Sequence, residues 1–200
     1  YAINGAVLSA PTTAFAATTS ERTLWSHWRG LLYQLWFHRP GRPLDALLWA
    51  IPVTLFESER RAELDEIALR TKQRFAEIQL TLGMCLPVYI VVTGTESIPG
   101  FSEMTARLSE RDKQSMLGWS STFSSNAFFN ERWIDLALEQ IQAALRLSVT
   151  ELGLGTMTPE VAEALYLLPE RVAAMSDGMH ALLEPVFRVG ALREPFLLRG

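Results

Sequence analysis

The residues in this sequence with the chemistry to bind or transform a ligand are few and scattered. His27, His38 and His180 stand far apart, and no metal-ligand spacing joins them, so they read as structural or surface residues. Cys85, the single cysteine, precedes an apolar run and reads as a packing residue; alone it forms no internal disulfide, which leans towards a reducing compartment. Arg39 and Arg42, in His38-Arg39-Pro40-Gly41-Arg42-Pro43, could hold an anion. No Gly-rich cradle surrounds them, and a solvated turn is the plainer reading. Gly153-Leu154-Gly155 lacks the third glycine of a dinucleotide fingerprint and falls between helices. The chain has no Gly-x-x-x-x-Gly-Lys-Ser/Thr, no His-Glu-x-x-His, no Gly-x-Ser-x-Gly and no Cys-x-x-Cys.

Chemistry can occur only where the fold places such groups, so hydrophobic periodicity comes next. Ala6-Val7-Leu8 reads as a short strand and Pro11 to Ser20 as loop. Glu21 to Phe37 has apolar residues at helical spacing, and Trp25, Trp28 and Trp36 read as core within it. Ala46 to Val53 is a nearly continuous apolar run, the pattern of a strand covered on both faces. Ser58 to Gly83 reads as a long amphipathic helix with Leu64, Ile67, Ala68, Thr71, Phe75, Ile78 and Leu82 as its buried stripe. Val88 to Thr93 follows as a central strand, with Ile90 as a core position where a buried charge would unfold the domain. Strand, helix and strand make a βαβ unit with parallel strands and a right-handed crossover. Ligands of such sheets bind beyond the carboxyl ends of the strands. That places any site at Ser9–Thr13, Val53–Phe56 or Thr93–Ser97.

The remainder reads as helical. One or two short helices are expected in Ser102–Leu117. Asn130 caps a helix to about Leu152, whose apolar side includes Leu138, Leu145 and Leu147. Thr158-Pro159 starts another helix, and Pro169-Glu170 a further one reaching about Phe187 with disturbances at Gly178 and Pro185.

Composition narrows the function classes. With 48% hydrophobic and 20% charged residues, the 200-residue chain can bury a substantial core unaided. A net charge of −4 lacks the basic field of a nucleic-acid binder. The uncharged stretch Tyr1–Ser20 has no basic n-region of a signal peptide. Ile78–Thr95 is also uncharged, but Gly83 and Pro87 divide it, so a helix end followed by a strand explains it better than a membrane span. The start at Tyr1, in an apolar run and without Met, reads as a piece of something longer.

Several ordered segments carry a resemblance. Leu86-Pro-Val-Tyr-Ile-Val-Val-Thr-Gly-Thr-Glu-Ser-Ile-Pro-Gly-Phe101 resembles a segment of the IcmF/TssM family of type VI secretion systems, a strand running into Thr-Lys-x-Asp and then Leu-x-Pro-Gly-Phe. His38 to Ala46 is similar to the family's His-Arg-Pro-x-Arg-Pro-Ile-Asn-Gly, and Phe101-Ser102-Glu103-Met104 to its Phe-x-Glu-Phe. Gly118-Trp119 with Thr122-Phe123, Pro169–Met175 and Glu194–Gly200 resemble its Trp-Gly-Phe-Thr-Phe, Pro-x-x-Phe-x-x-Leu and Pro-Pro-Leu-Leu-Arg-Gly.

The resemblance implies an α/β fold of the P-loop NTPase-like, GTPase-like class. Its three-layer parallel sheet would be incomplete at the N-terminus, with residues 1–128 as the degenerate α/β domain and 129–200 as a helical extension. It implies a location on the cytoplasmic face of the bacterial inner membrane, in a membrane-anchored protein, with no membrane insertion of this segment. In that scheme Thr93-Gly94-Thr95-Glu96 occupies the guanine-recognition position, with Gly94 for its Lys and Glu96 for its Asp. Ala10 stands for the Asp that helps hold Mg²⁺, and Thr13 for a Gly whose N–H meets the γ-phosphate. The reading is a non-catalytic scaffold with no cofactor, whose partners are other membrane-complex and baseplate proteins and no nucleic acid. The alternative is a nucleotide switch or NTPase that takes GTP or ATP with Mg²⁺ and is completed by an upstream P-loop. A free-standing adaptor unrelated to secretion is the third reading.

Overall fold

A computed structural model of the protein describes residues 21–57, 61–115, 117–124, 127–153, 157–188 and 196–200, without the side chains of 21–27. The expected strand at Ala6–Leu8, the helix cap at Ser58, Ala10 and Thr13 lie outside the described residues, as do the side chains of Trp25 and His27.

The elements run α1 (Glu21–His38), β1 (Leu47–Pro52), α2 (Arg61–Leu82), β2 (Pro87–Thr93), α3 (Phe101–Arg107), α4 (Glu110–Lys113), α5 (Arg132–Leu152), α6 (Pro159–Ala173), α7 (Ser176–Phe187) and β3 (Leu197–Leu198). β1, β2 and β3 form a parallel sheet in that order, so β2 is central as expected. The register pairs Leu47 with Val88 and Pro52 with Thr93. In-register neighbours share a face, so Leu47, Trp49, Ile51, Val88, Ile90 and Val92 share one, and Leu48, Ala50, Tyr89 and Val91 the other.

α2 covers the first face. Its Phe75 meets the Trp49 ring edge-on at 5.8 Å and the Phe196 ring at 5.5 Å, bridging β1 to the start of β3. The helical stripe emerges as read: Leu64, Ala68, Thr71, Phe75, Ile78 and Leu82 are buried, joined by Ala76, while Ile67 is partly buried. Gly83 ends α2 at φ +65°, its N–H donating to the Gln79 carbonyl at 2.9 Å. The second face is largely open among the described residues: Leu48 is 61% exposed and Val91 44%, while Tyr89, at 37%, has Gly200 against its ring. The expectation of strands covered on both faces is therefore corrected for the described residues. Ile90 is likewise only partly buried, and the fully buried β2 position is Val88. Trp36 is also exposed, whereas Trp28 packs against the core.

The helices after β2 complete the core from α2's side. The short-helix region resolves into α3 and α4, and the Ser109 hydroxyl caps α4 by accepting from Asp112 N–H at 3.2 Å. Asn130 Oδ1 accepts from Arg132 N–H at 3.0 Å and caps α5, as its sequence position indicated. Trp133, Ile134, Leu138, Leu145 and Val149 are α5's buried positions; Leu147, expected among them, is exposed. Trp133 gathers Phe123, stacked at 4.7 Å, with Trp119 and Phe129. Burial of each large apolar side chain here contributes roughly 1.5–3 kcal/mol.

Pro159 opens α6 as expected, but Pro169 does not start a helix. It lies inside α6, and the break falls at Ala174-Met175. An interior proline costs about 3 kcal/mol through its missing N–H and ring clash. Leu165, Leu168 and Pro169 are buried, and Gln142 on α5 donates to the Pro169 carbonyl at 3.2 Å. That packing keeps the helix continuous. α7 lies against α2, where Lys72 Nζ donates to the Pro185 carbonyl at 2.7 Å and the Arg188 carbonyl at 3.3 Å.

One polar cluster joins α5 to α7. His180 Nδ1 meets Glu184 Oε1 at 2.6 Å and its Nε2 meets Asp135 Oδ1 at 2.9 Å. Arg188 completes the cluster by pairing with Glu131 and Glu184. A neutral imidazole has one N–H, so it can serve only one of two flanking carboxylates, whereas the imidazolium serves both. Burial opposes the charge on His180 but is outweighed by the hydrogen bonds to Asp135 and Glu184, raising its pKa above the ordinary 6.5.

Two predictions follow from this packing. Val88→Asp places an unpaired charge at a fully buried position of the central strand and costs about 3 kcal/mol or more. Circular dichroism reads the loss of fold, and native-like melting would show the core to be elsewhere. The raised pKa of His180 makes its stabilisation complete below pH 6.5 and lost as pH rises through the folded-state value. The stability of the wild type to urea should therefore fall, relative to His180→Gln, as pH rises above about 6.5. Parallel pH profiles would refute the clamp.

Candidate functional site

In a parallel sheet the loops leaving the carboxyl ends of adjacent strands come together. Here they are residues 53–56 after β1 and 93–97 after β2. Pairing of Pro52 with Thr93 carries the register to the strand ends. Val53–Leu55 forms a single 3-10 turn, closed by Phe56 N–H donating to the Val53 carbonyl at 2.9 Å. Thr95–Ser97 forms the matching turn after β2.

Gly94 is the pivot of the second loop. It sits at φ +73°, and the Ser97 N–H and hydroxyl donate to its carbonyl at 3.0 and 2.8 Å. A Cβ on Gly94 would lie 3.9 Å from Val53 Cγ1, an ordinary contact, so the two loops touch there. Space would admit a side chain, but the backbone conformation disfavours any L-residue by roughly 1–2 kcal/mol. Thr93 and Glu96 are exposed and Thr95 is half-buried. Ser102 Oγ donates to the Glu96 carbonyl at 3.4 Å, so the Glu96 backbone, not its carboxylate, is tied to α3.

The structure thus brings Thr93 and Gly94 beside the turn after β1, as the strand-end argument anticipated, with Glu96 two residues further along the same loop. Ala10 and Thr13, the other candidate positions, are outside the described residues. Among the described residues, no group of three or more His, Cys, Asp or Glu side chains is placed to hold a metal ion. His38 shares a hydrogen bond with Gln34, one turn back on α1, at 3.1 Å. Cys85 accepts from Gln79 Nε2 at 3.3 Å and is half-buried. Arg42 pairs with Asp45 at 2.6 Å in an exposed turn, in keeping with the plainer reading of that motif.

Sequence reasoning missed the residues that fix the two loops to the helical half. Gly178, in the first turns of α7, lies directly on the turn after β1. A Cβ there would stand 2.2 Å from the Phe56 carbonyl oxygen. Gly100, at φ +97°, abuts α6, where a Cβ would stand 2.4 Å from the Ala164 oxygen. Arg171 on α6 spans this second joint, donating to the Pro99 carbonyl at 2.8 Å and the Ala164 carbonyl at 3.1 Å. Glu103 Oε2 accepts from Gly100 N–H at 3.1 Å and caps α3. A helical glycine gives no sequence signal of close approach, and Gly178 had read as a disturbance; α7 is instead continuous through it. The Pro-Gly-Phe-x-Glu spacing at 99–103 did carry a signal for Gly100 and Glu103, as a turn entering a capped helix.

Comparison with known proteins adds three findings. The family model described as the IcmF-related N-terminal domain matches residues 2–200. A curated protein, "Type VI secretion system component TssM1" of Pseudomonas aeruginosa strain PAO1, is 25% identical over 177 residues, or 86% of this chain. The match spans only 16% of that protein's length. No solved structure matches the chain.

The glycine joints make a prediction whose sign separates two effects. In a solvated helix Gly178→Ala would stabilise by up to about 1 kcal/mol. Against the Phe56 carbonyl it must instead displace backbone, at a cost of roughly 1–3 kcal/mol. Gly100→Ala adds an unfavourable φ to a similar clash. Urea unfolding should show both variants less stable than wild type. A stabilised Gly178→Ala would mean that α7 does not press on the β1 turn.

Proposed function

The chain belongs to the IcmF-related N-terminal domain family, and from that premise we propose that it is a non-catalytic scaffold domain of a type VI secretion component. In this reading the sheet and helices are a P-loop NTPase-like core that has lost nucleotide chemistry. The domain, at the cytoplasmic face of the inner membrane, makes protein contacts with membrane-complex and baseplate components. The resemblance to a named secretion component over 86% of the chain supports the setting. Among the described residues, no helix is long and apolar enough to cross a membrane, which fits a domain held outside the bilayer.

The observation that carries the non-catalytic part is Gly94. Base recognition of the guanine type needs a lysine stem over the ring and a carboxylate on the base edge. At the corresponding place the backbone is left-handed, φ +73°, and is latched by Ser97. A lysine there would be strained, and glycine offers no stem. Glu96 is exposed and one methylene longer than aspartate. These features favour a loop kept for its shape.

Binding measurements on the full-length protein test the reading. Titration with GTP and ATP, each with Mg²⁺, should show no saturable binding that responds to Glu96→Ala or to Gly94→Lys. Tight Mg²⁺-dependent binding that Glu96→Ala weakens would overturn it in favour of a nucleotide switch. Charge reversal at exposed helix positions such as Glu139 and Glu163 should lower co-purification of other secretion components. Unchanged co-purification across such a series would remove the scaffold assignment.

A further inference from the structure

The start of α7 is gripped from opposite sides. At Gly178 its backbone lies on the turn after β1, where a Cβ would stand 2.2 Å from the Phe56 carbonyl oxygen. His180 follows two residues later. Successive helical residues turn by about 100°, so the two positions face directions about 200° apart. The His180 ring accordingly reaches α5, where its Nε2 meets Asp135 Oδ1 at 2.9 Å. The first turns of α7 are therefore held between the β1 turn and α5. α2 packs along a third side, and its Lys72 Nζ donates to the Pro185 and Arg188 carbonyls at the far end of α7.

The α5 side of this grip is ionic. Glu131 and Asp135 face α7 from α5, and Glu184 and Arg188 flank His180 on α7 itself. Arg132 and Glu139 stand one turn to either side of Asp135 on α5, and Asp177 one turn before His180. With a neutral imidazole, Glu131, Asp135 and Glu184 share Arg188 as their cation. With the imidazolium a second cation sits between Asp135 and Glu184, and both ring N–H groups donate. Loss of the proton costs the ring one of these two bonds. The Glu184 side chain is 24% exposed and that of Asp135 is 54% exposed. Water replaces the ring more cheaply at Asp135, so a neutral ring keeps the bond within α7 and drops the one that crosses to α5.

We propose that this cluster is a proton-operated clamp on the loops at the strand ends. With His180 protonated, α5 holds the start of α7 against residues 53–56. Without the proton the cross-helix bond is lost, the turn is released, and with it the contact of Val53 with Gly94. The clamp sets how firmly these loops are held, whatever meets them, and so stands independently of any nucleotide or scaffold role.

Hydrogen exchange of the full-length protein, read by mass spectrometry over a pH series and corrected for the intrinsic pH dependence of amide exchange, tests the clamp. Peptides covering residues 53–56 and 176–180 should exchange several-fold faster as pH rises above about 6.5, while peptides around Val88 in β2 keep their protection. His180→Gln should exchange at the faster level throughout the series. Asp135→Asn, which leaves His180 a single carboxylate, should shrink the pH response of the turn without changing β2. A corrected rate at residues 53–56 that does not move with pH would overturn the proposal. An equal rise around Val88 would do so too, since it marks a general loss of stability. So would the same pH response in His180→Gln or Asp135→Asn as in the wild type.

Discussion

The helical half is held to the carboxyl ends of β1 and β2 by two contacts with no room for a Cβ. α7 presses its backbone at Gly178 onto the Phe56 carbonyl, and the loop after β2 presses Gly100 onto α6 at Ala164. Backbone approach this close fixes position more tightly than side-chain packing, because no rotamer can relax it. α7 is thereby set against α2, α2 against the sheet through Phe75, and α6 against the loop that follows β2. The core around Leu165, Leu182, Val186 and Phe187 fills the space that these two joints define.

This constraint explains why the segments resembling a secretion family are the ones they are. Pro99-Gly100-Phe101-x-Glu103 places a left-handed glycine against α6, offers a carbonyl to Arg171 and caps α3 with Glu103. Arg199-Gly200 extends the ladder beside β2, and Gly200 sits 3.0 Å, as measured from a Cβ, off the Trp119 carbonyl. Trp119 itself contacts Trp133, the centre of an aromatic cluster on α5. Each motif is a junction between elements and none holds a cluster of reactive groups. Spacing demanded by architecture and spacing demanded by chemistry can look alike in a sequence, and at these three junctions the structure shows an architectural use.

The legible parts of the fold were those governed by local periodicity and turn chemistry. The α2 stripe from Leu64 to Leu82, the Asn130 cap, the proline start of α6 and the centrality of β2 all follow from periodicity, turn chemistry and the order of neighbouring elements. Long-range packing decided the rest. Pro169 has the local character of a helix start, yet Leu165 and Leu168 against α5 keep α6 running through it. Leu147 fits the apolar side by spacing, yet is 61% exposed, while Val149 two residues on is buried. At the candidate site, the placement of residues 93–97 beside residue 53 was legible from strand topology. The latch of Ser97 on Gly94 was not, because a serine three residues after a glycine has many uses.

The sharpest disagreement between pattern and structure concerns β1 and β2, and it carries information. An unbroken apolar run is the mark of a strand covered on both sides. Leu48, Ala50, Tyr89 and Val91 nevertheless share a face that the described residues leave largely open, with Gly200 against the Tyr89 ring. A face selected for water would alternate apolar and polar positions, because an exposed leucine at 61% gains nothing there.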